Sequence, residues 1–193
     1  MPKITIIGAG STGFTKAFLA DILSRPELAE TTTVSLMDIS QENLDVAAAL
    51  ARKMVRQAGR PTAIEATTDR RSALEGANYV AIVMLLHGNE IFNRALEIAK
   101  TYGVDQAVGC TTGPNGVFIA LCYVPVLAEI CKEMEALCPD AIMFNYCNPA
   151  AINPWVLSKF QRSMYLGCAT ACRVPPKHWH ATSVRPTRKQ GIG

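Results

Sequence analysis

Charge of either sign is scarce in this chain of 193 residues. Charged side chains make up 18%, the formal net charge is only +3, and much of the basic excess sits at the end, in Arg185, Arg188 and Lys189. A balance so small argues against a nucleic-acid partner or a membrane-binding patch. No apolar run reads as long enough to span a bilayer. The N-terminus enters a β-branched run within three residues, which leaves no room for a signal peptide. Histidine is scarce too: outside the C-terminal tail only His87 remains. Cysteine is not scarce, but its seven copies, at 110, 122, 131, 138, 147, 168 and 172, are odd in number and scattered. Without a secretion signal they read as reduced thiols in a cytoplasmic protein rather than a disulfide framework. What the chain does have is apolar residues, at 49%, enough for one domain, or one and a part.

The first forty residues carry the strongest pattern. Lys3-Ile-Thr-Ile-Ile7 is a short β-branched run, and Gly8-Ala-Gly-Ser-Thr-Gly13 follows at once. A helical pattern comes next, and then Val34-Ser-Leu-Met-Asp38, a second apolar run ending in an acid. Strand, glycine turn, helix, strand and acid make a dinucleotide-binding βαβ unit. Gly8 lets the chain turn sharply off the strand. Gly10, lacking Cβ, lets a pyrophosphate approach the helix N-terminus, and Gly13 lets the helix pack closely on the sheet. Ser11 and Thr12 complete the cofactor-binding turn. Asp38 accepts from the ribose hydroxyls and repels a 2′-phosphate, which favours NAD over NADP; its other reading is a turn or N-cap residue after a strand.

Further along, strands and helices alternate. Helices are expected over Phe14–Ser24, Glu42–Ala58, Asp69–Leu74, Glu90–Tyr102 and Pro149–Phe160, with a long one opening after a Gly113–Gly116 loop and running to Leu137. Strands are expected over Ile64–Thr67, Tyr79–Met84, Ala141–Asn145 and Ser163–Gly167, the second fully buried by its unbroken apolarity. No internal repeat is visible. The fold class is α/β, a doubly wound parallel sheet of the Rossmann type over residues 1–167. Residues 168–193, rich in Arg, Lys, Pro and Thr, should lack order.

Three further segments go beyond a generic nucleotide domain: Thr112-Gly-Pro-Asn-Gly-Val-Phe-Ile-Ala-Leu121, Met134-Glu-Ala-Leu-Cys-Pro-Asp140 and Asn145-Tyr-Cys-Asn-Pro-Ala-Ala-Ile-Asn153. With them, residues 3–167 resemble glycoside hydrolase family 4, the NAD- and manganese-dependent α-galactosidases, α-glucosidases and 6-phospho-glycosidases, and within it the melibiase-type α-galactosidases. The family stands apart from glycosidases that work with two carboxylates. The resemblance implies that NAD takes a hydride from sugar C3, a base removes the acidified C2 proton, a metal stabilises the enediolate, and the C1 leaving group departs. Water then adds and the hydride returns. It also implies that Asn145 lies near the nicotinamide ribose and that Asn148 binds sugar hydroxyls; as residues, both also suit a turn before Pro149. His87 would border the cofactor site. The complete enzyme would take a small α-glycoside and form a homo-oligomer.

The chain departs from the family pattern at Cys110, where an acid is usual, and at Ile119 and Cys122, where arginines are usual. The family's manganese ligands, in a Cys-His-Ser-Val-Gln-Gly-Thr segment and a later histidine, do not occur in this sequence. The expectation is therefore a truncated nucleotide-binding portion, inactive alone, with apolar faces around Phe118, Ile152 and Trp155 left for a missing domain to cover. Back-translated with permitted codons and read one nucleotide over, residues 167–184 spell that missing motif followed by a helical pattern. Residues 168–193 are accordingly read as a frameshift product; encoding DNA whose codons cannot spell the motif would refute this. The zinc-like set Cys168, Cys172, His178 and His180 then loses its meaning, and its spacing fits no standard finger in any case. The alternatives are a stand-alone NAD-binding module and a malate- or lactate-dehydrogenase-like oxidoreductase. The second needs a catalytic histidine and a substrate-clamping arginine that the sequence does not place.

Overall fold

Strand β1 (Lys3–Ile7) lies at the centre of the sheet, flanked by β2 (Thr33–Met37) and β4 (Tyr79–Ile82). The arrangement comes from a computed structural model that describes residues 1–159 and the backbone of 160, 164–167 and 182–184. The seven strands run in the order β3-β2-β1-β4-β5-β6-β7, with β3 at Ala63–Thr67, β5 at Ile142–Asn145, β6 at Met164–Gly167 and β7 at Thr182–Val184. The first six are parallel and β7 alone is antiparallel, against β6. β7 falls inside the segment expected to lack order. The rest of 168–193, with its cysteine and histidine positions, lies outside the described residues.

The helices follow the sequence closely. α1 spans Thr12–Leu23, α3 Gln41–Ala58, α4 Arg70–Leu74, α5 Glu90–Thr101, α6 Pro114–Leu137 and α7 Ile152–Phe160. Their ends obey capping chemistry. Ser40 Oγ accepts from the Asn43 N–H at 3.3 Å, Asp69 Oδ1 from the Arg71 N–H at 3.0 Å, and α3 stops at Gly59, φ +62°. The short helix α2 (Pro26–Ala29) was not expected; it forms where Pro26 presets the first helical φ. The Gly113–Gly116 loop is also corrected. Pro114, Asn115 and Gly116 are already the first turn of α6, with Gly113 flanking it.

Side-chain alternation along the strands divides the core into two layers. Ile6, Val34, Leu36 and Ala81 pack against α1 and α3 through Leu19, Leu44 and Ala48. Ile7, Val80, Ile82 and Met143 face the other way, onto Leu74, Leu127, Met134 and Leu157 of α4, α6 and α7. The doubly wound parallel sheet is thus observed. A bidentate ion pair, Arg70 Nε to Glu133 Oε2 at 2.6 Å and Nη2 to Oε1 at 2.8 Å, ties α4 to α6.

Two expectations about apolar surface are corrected. α6, 24 residues with a mean hydropathy of 1.6 over its most apolar window, is long and apolar enough to cross a membrane by composition. It packs instead against α5, α7 and the sheet, with Ile119, Tyr123, Leu127, Ile130 and Met134 buried. Of the three apolar positions expected to lie bare, only Trp155 is exposed, at 60%; Phe118 packs on the core and Ile152 is half-buried. The large exposed apolar residues of α6 are Val117 and Leu121, one helical turn apart, a pair that the sequence pattern did not single out.

Candidate functional site

The carboxyl ends of β1, β2, β4 and β5 converge on one edge of the sheet. The strand order reverses beside β1, the position where open α/β sheets bind ligands. The glycine turn after β1 is pinned there: the N–H groups of Gly8 and Ala9 both donate to Met37 O of β2, at 2.9 and 3.0 Å. Gly8 has φ +86°, and a Cβ on it would sit 2.7 Å from the Met84 backbone. Both the turn and the close approach to the end of β4 therefore require glycine.

Gly10 also requires glycine, but for a different reason from the one expected. A Cβ there would lie 2.7 Å from Asp38 Oδ2 and 2.7 Å from Asn43 Cβ. The Gly10 N–H donates to Asp38 Oδ2 at 2.8 Å, and the Ser40 N–H donates to Oδ1 at 3.0 Å. Asp38 thus joins the glycine turn to the start of α3 through one half-buried carboxylate, which is the turn role. The packing role of Gly13 is not observed: it is exposed, and a Cβ there would meet nothing within 4 Å. Ser11 flanks the start of α1 half-buried and Thr12 is exposed. No side chain caps α1, and its first turn holds no acid. Ile39, directly after Asp38, is 90% exposed, an apolar side chain standing in water beside the acceptor.

Across the switch point, between the ends of β4 and β5 and the starts of α1, α5 and α6, lies a cleft of about 280 Å³. Phe14, Met84, Ile119, Tyr146 and Asn148 line it, together with Cys110. Tyr146 is held by aromatic contacts, with its ring centroid 4.9 Å from Phe18 in an edge-on arrangement and 6.0 Å from Phe14. The Tyr123 hydroxyl accepts from the Leu86 N–H at 2.9 Å and fixes the chain leaving β4; burial pushes that phenol above its ordinary range. His87 does not line the cleft. It is exposed, at φ +52°, although Leu86 and Gly88 on either side of it do.

The two asparagines expected together have separate fates. Asn148 lines the cleft. Asn145 is 1% exposed and closed on its own turn: its Nδ2 donates to Cys147 O at 2.9 Å and its Oδ1 accepts from the Cys147 N–H at 3.2 Å. Its amide serves the turn. Cys147 is the residue that the sequence reading missed. Its carbonyl also accepts from Asn153 Nδ2 at 3.4 Å, and its Sγ donates to Met84 O at 3.2 Å. Burial pushes that thiol up to about 12, so it stays neutral. The repeated asparagines around position 147 were the available signal. Cys110 and Ile119, the departures from the family pattern, both line the cleft, whereas Cys122 is exposed and does not.

Among the described residues, no group of three or more histidine, cysteine, aspartate or glutamate side chains could hold a metal ion. The sequence model of the family 4 glycosyl hydrolases matches residues 3–175. An α-galactosidase of Rhizobium meliloti (strain 1021) is 40% identical over 159 residues, 82% of this chain and 32% of its own. A Bacillus subtilis protein described as a glucosidase superposes with a TM-score of 0.77 at 27% identity, covering 87% of this chain and 38% of that one. The 6-phospho-β-glucosidase of Thermotoga maritima, solved with manganese, NAD+ and glucose-6-phosphate, shares the fold with a TM-score of 0.74 at 23% identity, over 90% of this chain and 41% of that one. The chain spans about a third of the length of the curated relatives it matches.

Proposed function

The chain belongs to family 4 of the glycosyl hydrolases, and from that premise we propose that it is the NAD-binding portion of a glycosidase acting on small α-glycosides. The observation that carries the reading is the hydrogen-bonded Asp38–Gly10 turn beside an uncapped helix end and an apolar cleft. The residues fit the dinucleotide in order. The start of α1 offers the positive helix end to a pyrophosphate, with no acid in the first turn to repel it. Asp38 keeps free lone pairs on both oxygens for ribose hydroxyls, and its charge disfavours a 2′-phosphate. Ile39 offers an apolar surface to the adenine. The cleft takes the nicotinamide, and Asn148 faces the same space with an amide able to hold a hydroxyl. Bound NAD supplies a hydride acceptor for a sugar carbon.

Manganese does not fit the described residues, and no step is assigned to it on this chain. Hydrolysis is proposed for the activity of a full-length family member, to which this portion would bring the cofactor. The α-galactosidase relative supports a galactoside-type substrate. None of the five described cysteines forms a disulfide, which supports a reducing, cytoplasmic setting. Assembly of the complete enzyme as a homo-oligomer belongs to the same reading. The family match favours it over a lactate-dehydrogenase-like oxidoreductase. A thermal-unfolding series with saturating NAD tests it: the midpoint should rise by several degrees, as it must when a ligand binds only the folded state. An unchanged midpoint, with no binding seen by calorimetry, would overturn the assignment.

A further inference from the structure

We propose that the cleft distinguishes the two redox forms of the cofactor, holding the uncharged dihydronicotinamide of NADH more tightly than the cationic ring of NAD+. The proposal rests on the dinucleotide reading above and adds a preference that the reading does not contain.

None of the sixteen described residues lining the cleft carries a charge. The two cysteines, Cys110 and Cys147, and the hydroxyls of Tyr123 and Tyr146 are its titratable groups. Cys147 and Tyr123 are both held neutral by burial, and both already have backbone partners in Met84 O and the Leu86 N–H. Around them stand Phe14, Met84, Ile119 and Tyr146. The ionisable positions next to lining residues along the chain, His87, Glu90 and Cys122, are exposed and outside the lining. Asp38 is across the glycine turn, on the β2 side, and its oxygens face Gly10 and Ser40. The helix end that Asn89 presents to the cleft is the start of α5, the positive end of its dipole. A cation entering this space loses water and meets no counter-charge, whereas the reduced ring is neutral and loses little. Both forms share the same adenosine and pyrophosphate contacts, so the difference falls on the ring alone.

Cys110 is the position that sets the preference. It is half-buried, its thiol is free, and it lines the cleft at the approach to α6. A carboxylate there would supply the missing counter-charge.

The test is a calorimetric and fluorescence titration of the intact chain with NADH and with NAD+. NADH should bind about tenfold more tightly, which raises the potential of the bound two-electron couple by about 30 mV. Cys110→Asp should strengthen NAD+, weaken NADH and bring the ratio close to one or below it. Cys110→Asn, similar in shape but neutral, should leave the ratio near that of the parent. Asp38→Ala should weaken both forms alike, which shows that the ratio reports the ring and not the adenosine end. Equal affinities in the parent would overturn the proposal, as would an Asn variant that moves the ratio as far as the Asp variant does. Binding of neither form would overturn the dinucleotide reading itself.

Discussion

Asp38→Asn separates the two duties assigned to that carboxylate. In the structure its two oxygens accept from two backbone N–H groups, Gly10 at 2.8 Å and Ser40 at 3.0 Å. An amide of the same shape has one oxygen. Whichever way it turns, one backbone donor faces an NH2 group and loses its partner. A hydrogen bond to a charged acceptor contributes roughly 1.5–3 kcal/mol, and a half-buried donor left unmade costs a similar amount. We expect about 2 kcal/mol of lost stability, which for a chain of this size lowers the melting temperature by roughly 4–8 °C. The second duty is selectivity. A carboxylate about 4 Å from a 2′-phosphate is repelled by a few kcal/mol at an effective dielectric near 20, so the parent should prefer NAD to NADP by roughly a hundredfold. Asp38→Asn removes the charge and should shrink that ratio to a few-fold, mostly by improving NADP. Differential scanning fluorimetry reads the first effect and isothermal titration with both dinucleotides reads the second. A variant that melts with the parent would refute the structural duty. A parent that binds both dinucleotides equally would refute the ribose assignment.

The Arg70–Glu133 pair gives a pH signature. The Arg70 hydrogen bonds hold the Glu133 carboxyl below its usual range, so its contribution is present above the ordinary glutamate value and is lost as pH falls through the lowered one. Glu133→Gln should cost about 1 kcal/mol at neutral pH and flatten the acid limb of a melting-temperature profile between about pH 5 and 3; an unchanged acid limb would count against the pair. Among the five described cysteines, a brief alkylation of the folded chain followed by mass spectrometry should mark Cys122 first and Cys110 next. Cys131, Cys138 and Cys147, all buried, should react only after denaturant is added. Early labelling of Cys147 would show that its contact with Met84 O does not persist in solution.

Parts of this molecule could be read before any coordinates because they depend on local chemistry. The period of the apolar residues and the caps Ser40, Asp69 and Gly59 mark helix ends within a residue or two. The unbroken run at β4 announces a strand covered on both faces, which holds for Val80, Ala81 and Ile82 but not for Tyr79, 40% exposed. The glycine turn announces its own backbone, as Gly8 at φ +86° shows. What could not be read depends on neighbours distant in sequence. That Gly10 faces Asp38 and Asn43, 28 and 33 positions on, is a fact of tertiary packing. So is the open space around Gly13, which the motif alone assigns to close packing. α6 shows the limit of composition: its apolarity suits a membrane span or a core helix equally, and only its packing on α5, α7 and the sheet decides. Tyr146 reads as one residue in an asparagine-rich turn; its role as an aromatic wall depends on Phe14 and Phe18, more than a hundred positions earlier.

Asn145 and Asn148 stand three residues apart in one motif, and a single pair of substitutions can show whether the structure has divided them correctly. Asn145 has both ends of its amide bonded to the backbone of Cys147 and is 1% exposed. Replacing it with alanine leaves the buried Cys147 N–H without its partner, worth roughly 1–3 kcal/mol, and the Cys147 carbonyl with only the 3.4 Å bond from Asn153. The damage would spread to the end of β5, because Cys147 is also the anchor for Asn153 and for Met84 at the end of β4. Asn148 is half-buried and lines the cleft. Its alanine variant removes an amide from a solvent-facing wall, a change usually within about 0.5 kcal/mol. Asn145→Ala should therefore melt several degrees below the parent, yet bind NAD with similar affinity at temperatures where it stays folded. Asn148→Ala should melt with the parent and lose whatever its amide contributes in the cleft, measured as weaker NADH binding or, in a full-length relative carrying the same change, as a raised KM for the glycoside. Melting curves and titrations on the same two preparations give all four values. If Asn148→Ala is the unstable variant and Asn145→Ala the weak binder, the turn is arranged differently in solution and the ribose role returns to Asn145.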